Sequence, residues 1–112
     1  MPNTVLIIDN RGDRLQKWAI RTHQMDILFE LKDKVQKEEF ERSAAGLVLC
    51  HYGNGKEVWS IEGGAWPLTG KRVVFFSDSN SDHPDTHGRF VHISARYLRD
   101  NFVAFIREQL AL

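Results

Sequence analysis

Short apolar runs recur along the chain, and polar residues close all but the last of them. The five runs are Thr4–Ile8, Asp26–Leu31, Gly46–Cys50, Arg72–Phe76 and Arg89–Ile93. Runs of this length, rich in β-branched and aromatic residues, are typical of strands that are buried on both faces. Segments of crossover length separate them, which predicts a parallel sheet with helices on both sides.

The segments between the runs carry helical patterns. Asp13 is the predicted N-cap of the first helix, because its carboxylate can accept hydrogen bonds from the first amides. One inward-facing stripe follows at helical spacing, formed by Leu15, Trp18, Ala19 and Thr22. Three basic side chains lie off this stripe, and we interpret them as solvated: Arg14, Lys17 and Arg21.

Further helices are predicted in the rest of the chain. Lys34–Arg42 is mostly charged, with Val35 and Phe40 as its apolar anchors, and Lys56–Glu62 is a short helix. The last helix has a wide apolar face, which contains Leu98, Phe102, Phe105, Ile106 and Leu110.

Composition narrows the class of protein. The 112 residues, 42% hydrophobic, suffice for one domain with its own core, spanning residues 1–112. Fifteen basic and fifteen acidic side chains cancel, which does not favour a nucleic-acid partner. No apolar stretch is long enough to cross a membrane, and no signal sequence is apparent, so a cytoplasmic protein is expected. The single cysteine, Cys50, is interpreted as a small buried hydrophobe.

Polar residues stand where the predicted strands end. They are Asp9-Asn10, Cys50-His51, Ser77-Asp78 and Ser94-Ala95-Arg96. Ligands of open parallel sheets bind at the carboxyl ends of the strands. Asp9 has the best position for such a role, although Asp-Asn-Arg-Gly could equally be a turn that caps the first helix.

The order of elements and several strand ends resemble the response-regulator receiver domain. Thr4–Asn10 resembles the family's first strand with its acidic pair, and Gly46–His51 resembles the third strand, which ends in the phosphorylated aspartate. Val73–Ser77 resembles the fourth strand, which ends in a hydroxyl, and Phe90–Arg96 the fifth. The resemblance implies a flavodoxin-like α/β fold of three layers, with a five-stranded parallel sheet in the order 2-1-3-4-5.

The departures from the receiver pattern concern its chemistry. His51 stands at the position of the phosphoacceptor aspartate, and Asn10 replaces one member of the acidic pair beside Asp9. The position of the family's lysine is Ala95, next to Arg96, whereas Ser77 keeps the hydroxyl. Magnesium prefers carboxylate and phosphate oxygens, so this set of residues lacks the anionic pocket that aspartyl phosphorylation needs. The resemblance therefore implies an atypical, phosphorylation-independent receiver, or pseudo-receiver.

The stretch Ser77–Gly88 is rich in aspartate and histidine. Imidazole and carboxylate groups suit a divalent metal, and the candidates are Asp78, Asp82, His83, Asp85 and His87. Their spacing follows no defined metal-site pattern, and an exposed turn-forming loop has the same composition. The loop is therefore interpreted as solvated, with a metal site as the alternative.

Besides a component of a larger assembly that only buries its last helix or its tryptophan loop, two classes of function remain open. The first is a non-enzymatic signalling module without a cofactor that binds a protein partner, such as a sensor kinase or another regulator, and that forms a homodimer through its last elements. The second is a small metal-dependent or nucleotide-binding enzyme with its site at the same strand edge, built from Asp9, His51, Asp78 and the loop. Trp59 and Trp66, which flank Gly63-Gly64, would add a partner surface or pack over the sheet edge.

Overall fold

The first strand, the first helix and the second strand follow the predicted alternation. The computed structural model describes residues 4–9, 11–33, 35, 42–51, 72–77, 85–87 and 90–110. The strands are β1 (Thr4–Ile8), β2 (Leu28–Lys32), β3 (Leu47–His51), β4 (Arg72–Ser77), β5 (Asp85–His87) and β6 (Phe90–Ser94). The helices are α1 (Gly12–Thr22), α2 (Ala95–Asp100) and α3 (Phe102–Leu110).

The strands form one sheet in the order β2-β1-β3-β4-β6-β5. The first five strands in this order pair in parallel, which confirms the predicted five-stranded arrangement 2-1-3-4-5 of the flavodoxin-like class. A strand that carries no apolar run, β5, extends this sheet antiparallel to β6. Residues 85–87 were expected in a loop, and that expectation is wrong because backbone pairing with Phe90–His92 holds them extended.

Both faces of the sheet are buried, which explains why the strands read as nearly continuous apolar runs. One face packs under α1, α2 and α3, and its strand residues include Val5, Ile7, Leu47, Leu49, Val74 and Phe76. The opposite face carries Leu6, Ile8, Val48, Cys50, Val73 and Phe75, together with Val35 and Ala45. Val35, a predicted anchor, is therefore buried, while most of the predicted helix 34–42 and all of 56–62 lie outside the described residues.

The first helix keeps its predicted inner stripe but begins differently. Trp18 is buried on the stripe, and its ring stacks on Phe102 with the centroids 6.1 Å apart. The N-cap is Arg11, whose side chain makes no capping hydrogen bond, and Asp13 lies in the first turn. The prediction of Asp13 as the cap is wrong because Asp9 accepts a hydrogen bond from the Arg11 amide and thereby moves the start of the helix.

The predicted last helix is divided into two at Asn101. The Asn101 backbone leaves helical geometry, with φ −125° and ψ 29°, so α2 ends at Asp100 and α3 begins at Phe102. The predicted apolar face is nevertheless buried along both helices, at Leu98, Phe102, Phe105 and Ile106. None of the described helices is long and apolar enough to span a membrane.

Candidate functional site

The strand ends of β1, β3 and β4 meet at one edge of the sheet. Ile8 is paired in register with Cys50, and His51 with Phe76, so Asp9, His51 and Ser77 follow one another across this edge. Such an edge is where open parallel sheets place their ligand sites. The sequence-based expectation that these three residues share one edge agrees with this register.

Asp9 is the most constrained polar residue at this edge. Its side chain is completely buried, and both carboxylate oxygens are engaged. Oδ1 accepts a hydrogen bond from the Arg11 backbone N–H at 3.1 Å. Oδ2 accepts from the Trp18 indole Nε1–H at 3.0 Å and lies 3.1 Å from the Arg14 Nε. The carboxylate is therefore bound by groups that come from the beginning of α1.

The reason for this arrangement is the cost of burying a charge. An unpaired carboxylate in the interior is strongly unfavourable, whereas a paired and hydrogen-bonded one is tolerated. Arg14 supplies the opposite charge, and its side chain is only 15% exposed. Trp18 contributes a donor from a ring that otherwise packs on Phe76, edge to face at 5.3 Å. Arg14 of α1 thus neutralises the charge of Asp9, the residue that follows β1.

His51, at the phosphoacceptor-equivalent position, lies beside this network. It is half-buried, and its ring meets the edge of the Phe76 ring with the centroids 5.5 Å apart. Its neighbour Cys50 points into the opposite face of the sheet, where the thiol donates weakly to the His51 carbonyl oxygen. Burial, and secondarily the negative charge of Asp9, raise the pKa of the Cys50 thiol far above its ordinary value. The thiol is consequently protonated and unreactive at neutral pH.

The other predicted strand-end residues, Ser77, Ser94 and Arg96, lie in different environments. Ser77 is buried and paired in register with Ser94. Ser94 is the N-cap of α2, and its Oγ accepts a hydrogen bond from the Tyr97 N–H at 2.8 Å. Arg96 lies exposed in the first turn of α2, on the side that faces α1.

Several predicted site residues cannot be placed together with these. Asn10, Asp78, Asp82 and His83 lie outside the described residues. Asp85 and His87 lie in β5, opposite His92 and Phe90 respectively. Among the residues that the structure describes, no three His, Cys, Asp or Glu side chains come together as a metal site. The divalent-metal alternative therefore stays a prediction.

Two residues that complete the Asp9 network were not identified from the sequence. Arg14 was interpreted as a solvated charge, and Trp18 only as part of the apolar stripe. A usable pattern was present, because an arginine and a tryptophan four residues apart share one side of a helix that directly follows a strand-end aspartate.

Comparisons with known proteins found no match: no family model, curated protein or solved structure matches the chain.

Proposed function

We propose that the chain is a receiver-like signalling module that works without aspartyl phosphorylation. It acts by binding a protein partner, a sensor kinase or another regulator, and control comes from occupancy by that partner. A partner shifts such a switch only by the difference between its affinities for the two conformational states.

The observation that carries this proposal is the internal pairing of Asp9. A receiver that is phosphorylated on aspartate needs open carboxylates for a divalent cation at this edge. In this chain the strand-end carboxylate is completely buried, and Arg14 and Trp18 bind it from α1. A guanidinium thus supplies the positive charge that a metal would otherwise bring. A histidine, His51, ends the neighbouring strand β3 where an acceptor carboxylate would be required.

The test is an amide NMR titration of the full chain with magnesium and beryllofluoride, a mimic of the aspartyl phosphate. We expect no saturable shifts at Ile8, Asp9, His51 or Ser77. A receiver domain that is known to be phosphorylated, titrated under the same conditions, is the positive control.

Two outcomes would contradict the proposal. Saturable shifts with both reagents together would mean that the edge still forms a phosphorylation pocket. Shifts with magnesium alone, lost in Asp9→Asn, would mean that Asp9 is a metal ligand and would favour the enzyme alternative.

A further inference from the structure

A basic cleft lies between α1 and α2, on the helical side of the sheet. Its volume is about 460 Å³, and Trp18 and Ala95 form part of its wall. Nine described residues line it, and six of these are cationic: Arg11, Arg14, Lys17, Arg21, Arg96 and Arg99. Asp13 is the one carboxylate among these nine described residues. A chain with zero net charge therefore concentrates positive charge at one place.

The cations reach this cleft from two elements that are far apart in the sequence. Those of α1 recur at three- and four-residue spacing, which puts them along one side of the helix. Arg96 and Arg99 are three residues apart on α2 and face them. Both helices directly follow parallel strands, so they leave the sheet at the same edge.

Arg21 connects the two helices. Its Nε donates to the Arg99 carbonyl oxygen at 3.3 Å, and its guanidinium lies 6.0 Å from the centroid of the Trp18 ring. Trp18 is itself held by Asp9 and by Phe102. Two of the side chains that line the cleft thus have partners within the fold, which lowers the entropic cost of using them to bind a ligand.

The charge inside the cleft is poorly balanced by carboxylates. Asp13 is exposed and pairs with Arg11, and this pairing holds the pKa of Asp13 below its ordinary value. Asp9 neutralises Arg14 from below, inside the core, and Asp100 pairs with Arg99 at 3.2 Å. Among the described residues, the six cations of the cleft still outnumber these three carboxylates, and the excess positive charge favours a bound anion.

We propose that this cleft binds a compact polyanion made of linked phosphoryl groups, either a free polyphosphate or the phosphate chain of a nucleotide. Guanidinium groups match phosphate oxygens in geometry, and several converging cations suit a ligand that concentrates negative charge in a small volume. A volume of about 460 Å³ lies within the range of small-molecule sites. This site does not depend on the receiver-like function proposed above.

The probe for this proposal is tripolyphosphate, titrated into the full chain by isothermal calorimetry at low ionic strength. We expect saturable binding with one ligand per chain and a rise in Tm on addition of the ligand. Lys17→Gln and Arg96→Gln should each weaken binding about tenfold, since each removes one charge-assisted contact. Arg107→Gln is the matched control, because Arg107 is exposed on α3 outside the cleft, and its affinity should stay within about twofold of the unaltered chain.

Further ligands distinguish the two sources of phosphate. A nucleoside triphosphate that binds more tightly than tripolyphosphate identifies a nucleotide, while equal affinities identify free polyphosphate, and both results support the proposal. Sulfate should bind much more weakly than either, because it presents a single anionic group.

Three results would overturn the proposal. The first is no saturable binding of tripolyphosphate, and the second is equal weakening by Arg107→Gln and by the two cleft variants. The third is tighter binding of a single-stranded oligonucleotide of about twelve nucleotides, which would indicate an extended nucleic-acid surface. Unligated thermal unfolding of every variant checks that a lost affinity does not arise from a lost fold.

Discussion

Two neighbouring regions of this protein differ in how their charged side chains are placed: one buries a paired carboxylate, and the other collects cations at a cleft. At the end of β1, a carboxylate is removed from water, and its two oxygens are bound by donors from α1 and from the N-cap Arg11. A few residues along the same helix, a cleft collects six cationic side chains and one exposed carboxylate. Arg14 and Trp18 belong to both regions: they line the cleft, and they also bind the buried carboxylate.

The difference shows how burial decides what a charged residue can do. Asp9 lies in the interior, where an unpaired charge is strongly unfavourable, and it is therefore matched by Arg14 within the fold. Most of the cleft cations are exposed to water, which screens their mutual repulsion, so the fold tolerates their proximity. The first region contributes to stability, and the second retains capacity for a ligand.

The largest effect is expected from removing the buried carboxylate. Asp9→Ala removes the carboxylate oxygen that Arg14 and Trp18 share, and the free energy of unfolding should fall by about 3–5 kcal/mol. Urea denaturation measures this loss. Asp13→Ala is the matched control: its ion pair with Arg11 is exposed, so the loss should be much smaller than that of Asp9→Ala. Equal losses in the two variants would remove the distinction between the regions.

A smaller effect is expected from removing only the indole donor. Trp18→Phe keeps an aromatic ring against Phe76 and Phe102 but deletes the N–H that binds Asp9. The free energy of unfolding should fall by about 2 kcal/mol, from the lost hydrogen bond and the smaller ring. In an Asp9→Ala background the same substitution should cost less, and an unchanged cost would show that the indole contributes by packing alone.

The pH dependence of stability at alkaline pH tests the core on the face of the sheet that contains Cys50. The folded chain keeps the Cys50 thiol protonated because its pKa is raised, while the unfolded chain releases the proton near the ordinary pKa. The unfolded state then binds fewer protons, so the free energy of unfolding falls as pH rises above that ordinary value. The slope from this group is at most about 1.4 kcal/mol per pH unit. Cys50→Ala should lack this component, and an identical pH dependence in the two chains would refute its assignment to the thiol.

The smallest effect on stability is expected from the cleft. Lys17 lies three residues after Arg14 and four before Arg21, and like charges at these spacings are mildly unfavourable in a helix. Lys17→Gln should therefore leave the free energy of unfolding unchanged or raise it by up to about 0.5 kcal/mol at low salt. Arg107→Gln provides the comparison in urea denaturation. A clear destabilisation by Lys17→Gln would mean that the cleft cations serve the fold.

Much of the sheet could be predicted from the sequence because each parallel strand is buried on both faces. The run Thr4–Ile8 coincides with β1, and the other four runs differ from their strands by one or two residues at one or both ends. The strand β5 could not be found in this way, since Asp85–His87 has no apolar side chain and is held by pairing with β6. Its structure depends on a partner rather than on its own pattern.

The candidate sites could be predicted from the sequence only in part. That Asp9 lies at a strand end could be predicted, and helical spacing puts Arg14 and Trp18 on one side of α1. The 3.1 Å approach of the Arg14 Nε to Asp9 depends on how α1 packs against the end of β1, which the spacing alone does not give. The basic cleft requires the topology as well, because its two walls come from opposite ends of the chain.

A double-mutant cycle between Asp9 and Arg14 tests most directly whether the strand-end carboxylate is an internal ion pair. The free energy of unfolding is measured by urea denaturation for the unaltered chain, Asp9→Ala, Arg14→Met and the double variant. We predict a coupling energy of about 2 kcal/mol or more, with the double variant far less destabilised than the sum of the single ones. Additive losses, with a coupling below about 0.5 kcal/mol, would contradict this account.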